Sequence, residues 1–133
     1  MTLAEIMDEV MFQTNNDSDD LGDFTPYIKD YVNEGYDLIT MVWDNRHVPS
    51  TDYHSLVNDA DTPNLPEWIH RYLADWATWL IYRNGNPQKQ NRGMAFRYSF
   101  EGLLSRISDA GGKNGLDENG NPKKYKNFYN IPV

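Results

Sequence analysis

The chain has 133 residues and a mass of 15.5 kDa, the size of one domain. Apolar residues make up 39% and aromatics 14%, enough for a packed core, and the absence of cysteine excludes a disulfide scaffold, a cysteine zinc site and a thiolate nucleophile. The net charge of -8 is unevenly spread: residues 1–67 hold two basic residues against fifteen acids, whereas 68–133 hold ten against five. That polarity argues against tight binding of a phosphate backbone and suits docking on protein, copies of itself included.

The expected class is all-α: a small bundle of four main helices over residues 1–110, with a polar C-terminal arm at 111–133. No apolar run approaches 18 residues, and MTLAEIMDEV carries acids where a signal peptide carries cations, so neither a membrane nor an export route is expected. The first helix spans 3–13. Thr2 and Glu5 form a capping box, and Leu3, Ile6, Met7, Val10 and Met11 form its apolar stripe. Residues 14–23, TNNDSDDLGD, predict a solvated loop. A calcium loop is the alternative there, but with Asp17 first, Leu21 and Ile28 fall at positions that need oxygen ligands.

The second helix spans 25–44, with Thr25 as cap and Pro26 in the first turn. Ile28, Tyr31, Val32, Leu38, Ile39, Val42 and Trp43 carry its stripe, and Gly35 on that face permits a close helix contact or a kink. Residues 45–65 read as a long irregular loop, with room for one helical turn at 54–57. The third helix spans 66–84, with Ile69, Tyr72, Leu73, Trp76, Trp79, Leu80 and Arg83 on one face and Gly85 at its end. The fourth spans 87–109, with Phe96, Phe100, Leu103, Leu104 and Ile107 inward and Arg92, Arg97 and Arg106 elsewhere on its surface, and Gly111-Gly112 stops it. The arm ends in Tyr125, Phe128, Tyr129, Ile131 and Val133, apolar groups that dock on a partner or fold back on the domain.

No catalytic signature is present: no G-x-S-x-G, P-loop, G-x-G-x-x-G or H-E-x-x-H occurs. His47, His54 and His70 lack an i, i+4 partner, and His70 reads as a surface or capping residue. No enzyme activity, cofactor or metal is therefore expected. The Tyr72, Trp76, Trp79 stripe is core packing, with a base-stacking platform as the alternative.

From residue 61 the pattern becomes more specific: D-x-P-x-L-P-x-x-x-H-x-x-L (Asp61, Pro63, Leu65, Pro66, His70, Leu73), then N-G-N-P (Gly85, Pro87), then F-E-x-x-L (Phe100, Glu101, Leu104). Together with D-Y-V-N-E-G-Y-D-L-I at 30–39, this resembles the all-helical head–tail connector (adaptor, head-completion) proteins of tailed bacteriophages, over about residues 1–110. The resemblance implies a virion protein at the head–tail junction, made in the host cytoplasm. It assembles as a ring, commonly of about twelve copies, beneath the portal. The ring joins capsid to tail, and DNA passes through it without sequence-specific binding. Gly35 stands where that family usually has Ala, and the arm has no counterpart.

An acidic lumen lined by 14–23 and 44–61 would repel passing DNA. The candidate interface residues are Asp17, Asp19, Asp20, Arg92, Arg97, Tyr125, Phe128, Tyr129 and Ile131. The competing readings are a small DNA-packaging component that binds nucleic acid and a prophage-encoded cytoplasmic interaction module.

Overall fold

Thr2 starts the first helix as its sequence requires. Its hydroxyl accepts from the Glu5 N–H at 3.2 Å, and the Glu5 carboxylate accepts from the Thr2 N–H at 2.8 Å. The computed structural model describes residues 1–46 and 53–109. The helices are α1 (Leu3–Thr14), α2 (Ser18–Leu21), α3 (Ile28–Arg46), α4 (Glu67–Arg83) and α5 (Pro87–Asp109), with 3-10 turns at Asn15–Asp17 and Thr25–Tyr27. Among the described residues there is no strand. The fold is thus a bundle of four long helices plus one helical turn. No helix among the described residues is long and apolar enough to cross a membrane.

α4 lies at the centre and packs on α1, α3 and α5, most extensively on α5. Its Ile69, Leu73, Ala77 and Leu80 are fully buried, at the 4-4-3 spacing of one helical face. Leu3, Ile6 and Val10 of α1, Ile28, Val32 and Ile39 of α3, and Phe100, Leu103 and Ile107 of α5 close around them. Burying each such side chain contributes about 1.5–3 kcal/mol, so this common core dominates stability. Gly35 allows α3 to approach α4: a Cβ there would sit 3.1 Å from the Trp76 ring. The close-contact expectation therefore holds.

The turn between α4 and α5 follows local rules. The N–H groups of Asn84 and Gly85 bond back to Ile81 and Tyr82 carbonyls. Asn86 caps α5 by accepting from the Lys89 N–H at 2.9 Å, and Pro87 opens the helix. Asn84 is the C-cap of α4, with Gly85 one place beyond it.

Several expectations are corrected. The segment 14–23 is a 3-10 turn and a helical turn for most of its length, because Asp17 is tied to α4 and α5. The helix expected from 25 begins at Ile28, and Asp23, not Thr25, supplies the side-chain acceptor, bonding the Thr25 N–H at 3.2 Å. No helical turn forms at 54–57. There the Asn33 amide bonds both the N–H and the carbonyl of Leu56, at 2.7 and 2.9 Å, which ties the non-helical backbone to α3 and buries Leu56. Met11 is exposed, and Thr14 completes the inner face of α1 by bonding its hydroxyl to the Val10 carbonyl at 2.9 Å. Tyr36, absent from the expected stripe, is buried because its hydroxyl accepts from the Asn64 N–H at 2.8 Å. Gly111-Gly112, His47 and the arm lie outside the described residues.

Candidate functional site

The turn Asn15–Asp17 and α2 carry a run of acids onto the end of the bundle where α4 ends and α5 begins. Asp17 is buried there, at 7% side-chain exposure. One of its carboxylate oxygens accepts from the Lys89 ammonium at 2.6 Å and from the Arg92 guanidinium, and the other accepts from the Tyr82 hydroxyl at 2.6 Å. Asp20 adds a second carboxylate to Lys89 at 3.1 Å. The Lys89 and Tyr82 hydrogen bonds hold the Asp17 carboxyl below the usual carboxylate range. Burial, then the bond to Asp17, pushes the Tyr82 phenol up to about 12.

The structure thus brings together three of the candidate interface residues, Asp17, Asp20 and Arg92. Asp19 is exposed and outside this network. Arg97 pairs with Glu101 at 3.1 Å and lies 5.4 Å from the Trp79 ring. Tyr125, Phe128, Tyr129 and Ile131 lie outside the described residues. Asp17 cannot line an acidic lumen, since its charge is enclosed and neutralised. Nor is Arg92 simply a surface cation, because it closes the Asp17 cluster. Lys89 and Tyr82 are the members that sequence reasoning missed; both partners lie 65 or more positions from Asp17, beyond any local pattern.

Two further polar centres join helices. Asp75 of α4 accepts from Gln13 of α1 at 3.0 Å and from Ser99 of α5 at 2.8 Å, and burial raises its pKa. Both of its oxygens serve as ties between helices. His70, expected on the surface, is buried: one ring nitrogen lies 2.8 Å from the Leu65 carbonyl and the other 2.9 Å from the Met1 ammonium. The ring covers the entry to α4, where the chain arrives from Pro63, itself buried.

Burial is the main cause that holds the His70 pKa below its ordinary value of 6.5. The neutral ring is therefore the form the fold prefers. As pH falls through 6.5 the unfolded chain binds the proton first, so stability drops until the folded value is passed. Urea midpoints are expected to fall between pH 7 and pH 5, and His70→Gln is expected to flatten that interval. Parallel profiles for the two proteins would show that His70 is not the group responsible.

An open cleft of about 480 Å³ lies between α3 and the non-helical segment 55–57. Asp30, Glu34 and Asp37 line one side, and Leu56 and Val57 the other. Lys29 also lines it, and its ammonium is bonded to the Val57 carbonyl at 2.9 Å. Glu34 accepts from the Trp76 indole at 2.9 Å, which fixes its position on the cleft wall.

Compared with known proteins, the chain matches no family model, no curated protein and no solved structure, so the fold and these sites stand on its own residues.

Proposed function

We propose that the chain is a head–tail connector of a tailed bacteriophage, a structural protein that assembles as a ring under the portal and extends the DNA channel toward the tail. The observation that carries the reading is the behaviour of the residues on which the resemblance rests. Those from Asp61 to Leu73 act as one structural unit. The Asp61 carboxylate accepts from the Val57 and Asn58 N–H groups, both at 2.8 Å. The Asp61 carbonyl accepts from the Leu3 N–H at 2.7 Å. Pro63 is buried, the Leu65 carbonyl meets His70, and Leu73 enters the core. The residues that carry the resemblance thus meet in one turn and in the core, and that supports the reading.

The charge distribution supports assembly. Exposed carboxylates crowd α1 to α3 (Glu5, Asp8, Asp19, Asp30, Glu34, Asp37), whereas α5 exposes Arg92 and Arg106. Unlike charges on different parts of one surface favour a head-to-tail contact, and such contacts close into a ring where the rotation between copies divides a full turn. In this reading the portal and the next head-completion or tail protein are the partners, and the virion is the location. The exposed acids Asp19 and Asp20, not Asp17, then face the channel.

Light scattering after size exclusion, over a hundredfold concentration range, tests the proposal. A closed assembly of many copies is expected. A dimer that never grows would overturn it in favour of a cytoplasmic interaction module, and a salt-dependent shift of duplex DNA would favour a packaging component.

A further inference from the structure

The cleft between α3 and segment 55–57 is asymmetric. Asp30, Glu34 and Asp37 stand at i, i+4 and i+7, one stripe on one helix face. Like charges at that spacing destabilise a helix unless a cation answers them. Lys29 does not, because its ammonium is spent on the Val57 carbonyl, and Asp30 and Asp37 have no ion-pair partner among the described residues. The opposite wall is formed by Ser55, Leu56 and Val57; Leu56 is buried, and Val57, 58% exposed, supplies its apolar surface. The cleft therefore asks for an extended segment that offers cations to one side and apolar side chains to the other.

The chain itself contains such a segment. Residues 123–133 read KKYKNFYNIPV: three Lys, three aromatics and no acid. We propose that this segment docks in the α3 cleft of its own chain, with Lys123, Lys124 and Lys126 toward Asp30 and Asp37 and the aromatic side chains toward the exposed Val57. This goes beyond the connector reading and does not depend on it.

The geometry permits it. Phe100 of α5 packs on Trp76, and Trp76 packs on Gly35 of α3, so these residues share one level of the bundle. α3 and α5 both run antiparallel to α4. Residue 109 therefore lies about 14 Å beyond that level, at 1.5 Å per helical residue. With one helix-to-helix spacing of about 10 Å added, the Gly35 level of the cleft is within about 25 Å of the end of α5, and Asp30, five residues farther along α3, within about 32 Å. Residues 110–122 reach at most about 45 Å. A tethered segment meets its own cleft at a far higher effective concentration than it meets another molecule's.

Limited trypsin digestion of the full chain, read by intact mass, tests this. Lys113 lies outside the proposed contact and serves as the internal reference. Relative to Lys113, cleavage at Lys123, Lys124 and Lys126 is expected to be at least tenfold slower in the protein than in a synthetic 110–133 peptide. The ratio is expected to be unchanged from 1 to 100 μM protein. Asp30→Asn/Asp37→Asn, which keeps shape and removes charge, is expected to restore the peptide's rate with the circular dichroism unchanged. Equal ratios in protein and peptide would overturn the proposal, as would protection that survives the double substitution. Protection that grows with protein concentration would assign the cleft to a second copy's arm and overturn docking within one chain.

Discussion

Asp17→Ala is expected to cost about 3 kcal/mol, a large share of the 5–15 kcal/mol that holds a domain together. The reason is what the substitution leaves behind. Lys89, at 8% side-chain exposure, loses its closest counter-charge, and the buried Tyr82 hydroxyl loses its acceptor. Removing one partner of a buried pair usually costs about 3–5 kcal/mol, since the other charge stays desolvated. The lower end applies because Asp20 still reaches Lys89 and because Arg92 is half exposed. Asp17→Asn preserves shape and is expected to cost less. Urea unfolding of the two variants measures both numbers, and a loss under about 1 kcal/mol for Asp17→Ala would show the cluster to be incidental.

The same cluster contributes to the pH dependence of stability at both ends. The Asp17 pKa in the fold lies below its ordinary 3.8, from the Lys89 and Tyr82 hydrogen bonds. Its contribution is present above pH 3.8 and is lost as pH falls through the lower folded value. On the alkaline side the Tyr82 value is raised from 10.0 to about 12, so its contribution is complete below pH 10 and is lost as pH rises toward 12. Asp61 and Glu67 are also held low and share the acid limb, so the Asp17→Asn difference curve, not the wild-type profile, isolates Asp17.

What could be read in the sequence follows the range of the interactions. The α1 capping box, the bounds of α4 and α5, and the turn at 84–87 depend on residues within four positions of each other, and all were legible. The one-turn helix at 18–21 was not, because the ties that hold the segment ahead of it come from Lys89 and Tyr82. Tyr36 and His70 were misplaced for a related reason. Each is polar by composition, and each is buried only because a backbone group from the loop before α4 meets it. The long connection looked irregular, and its described part, 53–66, is irregular. Its order comes from Asn33 and Asp61, whose side chains bond backbone groups and leave no periodic mark. The carboxylates of α3 entered the sequence reading only within the acid count of residues 1–67; their stripe was not singled out, and the cleft beside it required knowing where Leu56 and Val57 return.

Gly93→Ala is expected to destabilise the protein by about 2 kcal/mol, against helix propensity. In an exposed helix interior the change from Gly to Ala gains about 1 kcal/mol. At position 93 the new Cβ would lie 2.5 Å from the Tyr82 Cβ and 2.9 Å from a Trp79 ring carbon. Neither neighbour is free to yield. Tyr82 is pinned through its hydroxyl to Asp17, and Trp79 is buried beneath Arg97. The helices must part, and overpacking of this kind costs about 1–3 kcal/mol or more, beyond the propensity gain. Gly102, on the same helix, has nothing within 4 Å of an added Cβ, so Gly102→Ala is expected to stabilise by about 1 kcal/mol. Gly35→Ala falls between them: its Cβ would meet Trp76 at 3.1–3.3 Å, a contact that a small ring shift relieves, so a change near zero is expected. Thermal midpoints of the three variants should therefore order as Gly102→Ala above wild type, Gly35→Ala near it and Gly93→Ala below. A Gly93→Ala protein as stable as wild type would mean that the α4–α5 contact is looser than these distances require. In Asp17→Ala/Gly93→Ala the two losses should not add, because Tyr82, once released from Asp17, can swing away from the new methyl group.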